Sequence, residues 1–193
     1  MRTYAPLAVA VAIGAVLAIG PLVHADVPAE ACDKGAKKLN MKLTMKNAQG
    51  KPVSLSAYAG KVLLVDFWAT WCGPCKVEIP GFVKLYDRYR SKGFEIVGLI
   101  TEDPISNVPA FAKEFGMNYT VLDANEREDV ENAFGSISGL PTSFLVSRDG
   151  RICKTHLGYT PAEEFEREIT ALLGVAPALR TTPLASAADS KPH

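Results

Sequence analysis

The residues Trp71-Cys72-Gly73-Pro74-Cys75 place two thiols three positions apart. Such a pair can exchange disulfides: one cysteine attacks as a thiolate, and the second resolves the mixed disulfide that forms. Context decides whether it does so. Ahead of the motif, Val62-Leu63-Leu64-Val65-Asp66-Phe67-Trp68 is almost wholly apolar and reads as a strand buried on both faces. After it, Ile79, Phe82, Val83, Tyr86 and Tyr89 recur at three- and four-residue spacing, which predicts an amphipathic helix ended by Gly93. A cysteine at a helix start has its thiolate stabilised by free backbone N–H groups and the helix dipole, and a partner three residues on faces the same way. Cys72 is therefore expected to be the exposed nucleophile and Cys75 the buried resolving thiol. The competing reading, half of a four-thiolate zinc site, needs a second close cysteine pair or a Cys/His set. Cys32 and Cys153 are single, and the three histidines are His24, His156 and His193. No metal and no other cofactor is expected.

The chain around this motif looks exported. Met1-Arg2 is followed by an apolar, uncharged run from Leu7 to Val23, and Val23-His24-Ala25 places small residues where a signal peptidase reads. Residues 1–25 are expected to be a signal peptide. The alternative is an uncleaved anchor by residues 1–23, whose apolar run of about 17 residues is at the lower edge of a spanning length. Both readings put the rest outside the cytoplasm. With 21 basic and 21 acidic residues and no long run of one sign, nothing points to nucleic acid as partner. Four cysteines in an oxidising compartment read most simply as two bridges. Cys32 and Cys153 would then tie the N-terminal segment to a later strand. The alternative leaves Cys32 as a free thiol or an intermolecular partner.

Further elements must position the motif. Residues 26–38 read as a short polar linker. Leu39 to Met45 alternates and predicts a strand, and Val53 to Leu55 a strand returning after a turn at residues 48–51. Phe94 to Ile100 predicts a strand that completes a right-handed βαβ unit. A helix is expected over 107–115, a strand over 119–122 and a helix over 128–134. Thr142–Ser147 and Arg151–Leu157 flank Asp149-Gly150, a strong hairpin signal. Thr160-Pro161-Ala162-Glu163 reads as a capping box opening a helix over 162–173. From Val175 the chain is rich in Ala, Thr, Pro and Ser and is expected to be a disordered tail. Asp66 falls in an otherwise apolar strand, so a buried carboxyl with a raised pKa is expected; the alternative is an Asp at a strand edge. Trp68 reads as core packing and Trp71 as an exposed apolar rim. Tyr58, Phe82 and Phe134 read as core.

The segment from Val65 to Lys76 closely resembles the thioredoxin active site. Pro80, five residues past Cys75, matches that family's helix-kinking proline, and Gly139-Leu140-Pro141-Thr142 matches its cis-proline loop. The resemblance spans about residues 39–173. It is strongest to the exported TlpA/ResA/CcmG-like branch, through the hairpin before Gly60-Lys61, the insert at Thr101-Glu102-Asp103 and Glu78. The peroxidatic pattern of peroxiredoxins and the cysteine spacing of Sco-like copper proteins are missing.

The resemblance implies an α/β thioredoxin fold over residues 39–174, a five-stranded mixed sheet flanked by helices with an added N-terminal β-hairpin. It implies that Asp66 relays the proton of the buried thiol. It also implies that a cis Pro141 aims Leu140 and Thr142 at the substrate chain, beside the contact residues Trp71, Gly73 and Pro74, and that it keeps metals off the thiols. For Glu78 two readings stand: a solvated carboxylate helping the helix dipole, or a group that tunes the thiols or contacts a partner. The Gly-Pro dipeptide matches the reducing type of pair. The expected activity is reduction of protein disulfides in the periplasm or an equivalent space. A membrane thiol-transfer protein would supply electrons, and apocytochrome c cysteine pairs or copper-site thiols of oxidase assembly factors would be clients. The rival activities are a disulfide oxidase or isomerase, and a copper-handling binding module.

Overall fold

The computed structural model describes residue 32, residues 35–135 and residues 137–176. The segment read as a signal peptide or anchor, most of the linker, and the tail from 177 onward lie outside the described residues.

Everything is arranged on one strand. β3 (Val62–Trp68) is buried at all seven positions. Its odd residues Leu63, Val65 and Phe67 enter one core layer, where Phe67 packs edge-on to Phe134 at 5.3 Å. Its even residues Val62 and Leu64 enter the opposite layer with Phe82 and Phe165, and Trp68 enters a third cluster with Ile79 and Phe111. Asp66 falls on that second face, between Leu64 and Trp68, because side chains alternate along a strand. β3 pairs in parallel with β4 (Phe94–Ile100) and antiparallel with β6 (Thr142–Val146). β5 (Thr120–Asp123) and β7 (Ile152–Leu157) close the edges, giving the order β5-β4-β3-β6-β7. A glycine in the middle of β4 has a packing cause: a Cβ on Gly98 would stand 2.8 Å from Trp68 Nε1.

Helix α1 (Gly73–Tyr89) follows β3, α2 (Val108–Phe115) follows β4, α3 (Glu128–Phe134) follows β5, and α4 (Ala162–Leu173) follows β7. The helix α1 crosses α4 closely, with room at Gly81 for the Ala162 methyl only because Gly81 has no Cβ. A two-stranded hairpin of β1 (Thr44–Lys46) and β2 (Pro52–Ser54) stands apart from the main sheet. The architecture is the mixed five-stranded sheet with added hairpin that the thioredoxin resemblance implies.

Two local expectations need correction. The strand expected over 39–45 is confined to Thr44–Lys46. The Asn40 side chain accepts the Lys42 N–H at 3.1 Å, a local turn that breaks the extended run while leaving Leu39, Leu43 and Met45 buried. Thr160 does not cap α4; Pro161 occupies the N-cap position without a side-chain bond. The Thr160 N–H is instead taken by Glu78, described below.

The N-terminal segment runs beside the start of β7. The Ile152 N–H donates to the Lys37 carbonyl at 2.8 Å, and Cys32 is bonded to Cys153 across 121 residues of chain. A cross-link closing so long a loop restricts the unfolded chain strongly. The double variant Cys32→Ser/Cys153→Ser is expected to lose about 3 kcal/mol of stability in chemical denaturation while the Cys72–Cys75 bridge still forms.

Candidate active site

The site is built where β3 ends and α1 begins. Cys72 is the N-cap of α1 and Pro74 lies in its first turn, where a missing N–H costs nothing. The Cys75 N–H donates to Cys72 Sγ at 3.2 Å, and the two sulfurs are bonded, with Cα atoms 5.3 Å apart. In the reduced pair, that N–H and the other unpaired amides of the first turn favour a thiolate on Cys72. Gly73 and Pro74 are exposed, as is Trp71. Cys72 itself is only 3% exposed, which corrects the expectation of an open nucleophile. In the bonded pair its sulfur turns inward and joins the cluster of Trp68, Ile79 and Phe111, against which Leu140 packs.

Two loops frame the pair. Asp103, just past β4, accepts the Thr70 N–H at 2.7 Å and the Thr70 hydroxyl at 2.5 Å, and takes the Asn107 side-chain amide at 2.7 Å on its other oxygen. Burial opposes its ionisation, but those bonds outweigh burial and hold its carboxyl below the ordinary carboxylate range. Trp71 Nε1 donates to the Glu102 carbonyl at 3.1 Å. Opposite, the Leu140–Pro141 peptide is cis. The Thr142 hydroxyl donates to the Gly139 carbonyl at 2.7 Å, and the Gly158 N–H to the Pro141 carbonyl at 2.8 Å.

Two carboxyls are buried on the α1 side of the sheet. Asp66 is 1% exposed and accepts the Ser143 hydroxyl at 2.8 Å from its register partner on β6. Burial pushes its pKa well above the ordinary value, the neighbouring Glu78 adds to this, and the Ser143 bond pulls the other way. Glu78 is buried one turn into α1 from Cys75. Its Oε1 accepts the Thr160 N–H at 2.5 Å, and its Oε2 is buried without a hydrogen-bond partner. Burial raises its pKa to about 7 against the lowering effects of the Thr160 bond and of His156 nearby. Glu78 is therefore not the solvated helix-start carboxylate that was one of its two readings. Trp68 sits in the core against Phe111, ring centroids 5.0 Å apart.

The motif thus brings together Cys72, Cys75, Trp71, Gly73 and Pro74; Leu140 packs against the cluster that holds the two cysteines, and Thr142 pairs with Phe67 near the end of β3. Cys32 and Cys153 lie at the other end of the sheet. Asp103, Ser143 and Thr160 escape sequence reasoning as site residues. A Ser opposite Asp66 follows only from the strand register, and an amide donor on residue 160 has no side-chain signature.

Among known families, the redoxin model matches residues 33–173. The thiol-disulfide oxidoreductase ResA of Geobacillus thermodenitrificans is 28% identical over 155 residues, covering 80% of this chain and 88% of that protein. ResA of Bacillus subtilis is 35% identical over 114 residues, covering 59% and 63% respectively. A thiol:disulfide interchange protein of the thioredoxin family from Chlorobium tepidum superposes with a TM-score of 0.66 at 31% identity, covering 74% of this chain and all of that one.

The buried Glu78 has a consequence for stability. Its folded-state pKa of about 7 lies above its ordinary value of 4.5, so the folded protein binds more protons between those values. Stability then falls as pH rises through that window and stays lower above it. Glu78→Gln removes this contribution. Discounted for partial solvent screening, the oxidised variant is expected to gain on the order of 2 kcal/mol at pH 8 relative to pH 4, compared with the parent, in chemical denaturation at both pH values.

Proposed function

The chain belongs to the redoxin family within the thioredoxin superfamily, and from that premise we propose that it is an extracytoplasmic thiol–disulfide oxidoreductase that reduces protein disulfides. The observation that carries this reading is the Cys72–Cys75 bridge at the start of α1, with an amide donor on the Cys72 sulfur; the buried carboxyls of Asp66 and Glu78, both of raised proton affinity, supply groups able to take a thiol proton. The relatives named as thiol-disulfide oxidoreductases support the redox activity. The Gly73-Pro74 dipeptide favours the reducing direction.

In this reading the Cys72 thiolate attacks one sulfur of a client disulfide. A mixed disulfide forms and one client thiolate leaves. Asp66 takes the proton of Cys75, and the Cys75 thiolate attacks Cys72 Sγ, closing the bridge and releasing the second client thiolate. Two electrons pass to the client. A membrane thiol-transfer protein would return the pair to the dithiol by attack on the bridge. The client would meet an apolar collar. The exposed large apolar side chains among the described residues are Trp71, Val77, Leu157 and Tyr159. Trp71 precedes Cys72, Val77 follows Cys75, Leu157 stands opposite Thr142 in the β6–β7 register, and Tyr159 follows it. Gly73, Pro74 and the half-buried Leu140 complete the contact surface, whereas cis-Pro141 and the expected contact residue Thr142 are themselves buried. Clients carrying cysteine pairs, such as apocytochrome c or copper-site assembly factors, fit this chemistry. In this scheme the Cys32–Cys153 bridge is structural.

Equilibration of the pair in thiol redox buffers tests the direction. A potential near about −270 mV or lower supports a reductase, and one near about −120 mV would make the protein a disulfide donor instead. Cys72→Ser is expected to abolish client reduction, and Cys75→Ser to accumulate a mixed disulfide through Cys72 on non-reducing gels. Asp66→Asn is expected to slow release of that mixed disulfide about a hundredfold at neutral pH in single-turnover measurements.

A further inference from the structure

The parallel strands β3, β4 and β5 end level with one another, with Trp68, Ile100 and Asp123 as their last register partners. Backbone bonds run one step further, from the Thr101 N–H to the Trp68 carbonyl at 3.1 Å and from the Ala124 N–H to the Ile100 carbonyl at 2.9 Å. Beyond that point the chain leaves β3 and enters α1 through a turn. The Cys72 N–H donates to the Ala69 carbonyl at 3.2 Å, so Thr70 and Trp71 are the central residues of that turn. Neither is a residue type that favours a turn by itself. A turn that delivers the nucleophile must therefore be held from outside.

Two consecutive residues of the segment after β4 hold it. Asp103 Oδ2 accepts both the Thr70 N–H at 2.7 Å and the Thr70 hydroxyl at 2.5 Å. The Glu102 carbonyl accepts the Trp71 indole N–H at 3.1 Å. Glu102 has a left-handed φ of 54°, which a residue with a side chain keeps only where its surroundings fix it. The surroundings do so through Asp103, which is 6% exposed and bonded at every polar position. Its Oδ1 accepts the Asn107 side-chain amide at 2.7 Å. Its backbone N–H donates to Asn125 Oδ1 at 3.3 Å, and its carbonyl accepts Asn125 Nδ2 at 2.9 Å. Asn125 is tied in turn to Asp123 Oδ1, by its backbone N–H at 3.1 Å and its side-chain amide at 2.7 Å. Side-chain bonds thus continue the sheet past its last ladder bonds, from the end of β5 across to the turn before Cys72.

We propose that Asp103 is a positioning residue for the Cys72 thiolate: by gripping Thr70 it fixes the turn so that Cys72 enters α1 with its sulfur aligned on the unpaired amides of the first helical turn. The proposal deepens the redox reading and rests on it for its consequence in turnover. The alignment is visible in the bonded pair, where the Cys75 N–H donates to Cys72 Sγ at 3.2 Å. An amide stabilises a thiolate only while it points at the sulfur, so a turn free to rock loses part of that stabilisation. The charge on Asp103 acts in the opposite sense, because a carboxylate close to a thiol disfavours the thiolate. Neutralising Asp103 therefore raises the Cys72 pKa if its geometry matters and lowers it if only its charge does.

The test follows alkylation of Cys72 by iodoacetamide against pH in the reduced full chain, read by mass spectrometry of the Cys72 peptide; the midpoint of the rate profile reports the thiol pKa without any turnover. Thr70→Val removes one bond of the clamp and leaves the charge on Asp103. Its midpoint is expected to rise by about one pH unit, so that alkylation below the midpoint is about tenfold slower while the rates converge at high pH. Thr70→Ser keeps the hydroxyl and is expected to return the midpoint to the parent's. Asp103→Asn is expected to raise it as Thr70→Val does. A purely structural role would lower stability in chemical denaturation and leave the midpoint in place. The proposal is overturned by an unmoved midpoint in Thr70→Val, by equal midpoints in Thr70→Val and Thr70→Ser, or by a midpoint that stays or falls in Asp103→Asn. Should Asp103→Asn fail to fold, the two Thr70 variants decide. Shifted midpoints in a protein whose parent reduces no client would sink the redox reading and leave the positioning role intact.

Discussion

A carboxyl in the middle of a strand buried on both faces is the costliest single feature of this domain. Asp66 sits at 1% exposure between Leu64 and Trp68. Burial disfavours the ionised carboxylate there and pushes its pKa well above the ordinary value, so once ionised the group is a strong acceptor for a proton. The rest of the site is arranged around that constraint. Ser143 donates to Asp66 from the neighbouring strand. Glu78 stands close enough to make a second negative charge unfavourable. Cys75, fully buried, is lodged in the same region at the start of α1. A proton leaving a buried thiol must go somewhere, and the apolar layer offers it carboxyls rather than water.

The second requirement is precision at the surface above that layer. The pair is held by backbone-directed bonds from elements distant in sequence. Asp103 fixes the Thr70 amide and hydroxyl, Glu102 receives the Trp71 indole N–H, and Gly158 holds the Pro141 carbonyl. Each bond joins a loop to a loop at the end of the sheet where β3 ends. Above these bonds the side chains of Trp71, Leu157 and Tyr159 stay exposed.

Much of this was legible in the sequence, and the failures have specific causes. β3, β4, α3 and α4 carry unbroken patterns, and their bounds match the expected ones. The Asp149-Gly150 turn is local chemistry and was readable for that reason. The expected strand over 39–45 failed because the Asn40 side chain accepts the Lys42 N–H and overrides a regular alternation. The capping box failed because a carboxylate 82 positions earlier in the chain competed for the Thr160 amide. Within the site, the residue types that announce chemistry, Cys72, Cys75, Asp66 and the loop proline Pro141, stand out in the sequence. Ser143, Thr160 and Asp103 do not, because their contacts arise from register and from loop geometry, and neither is encoded in local spacing.

The two disulfides lie at opposite ends of β7's span. Leu157 is level with Thr142 and the redox pair, whereas Cys153 is four residues back, about 13 Å along the strand. Whatever precedes Cys32 is therefore joined covalently to the far end of the domain. A load applied through that segment therefore enters the sheet at the end of β7 away from the Cys72–Cys75 bridge.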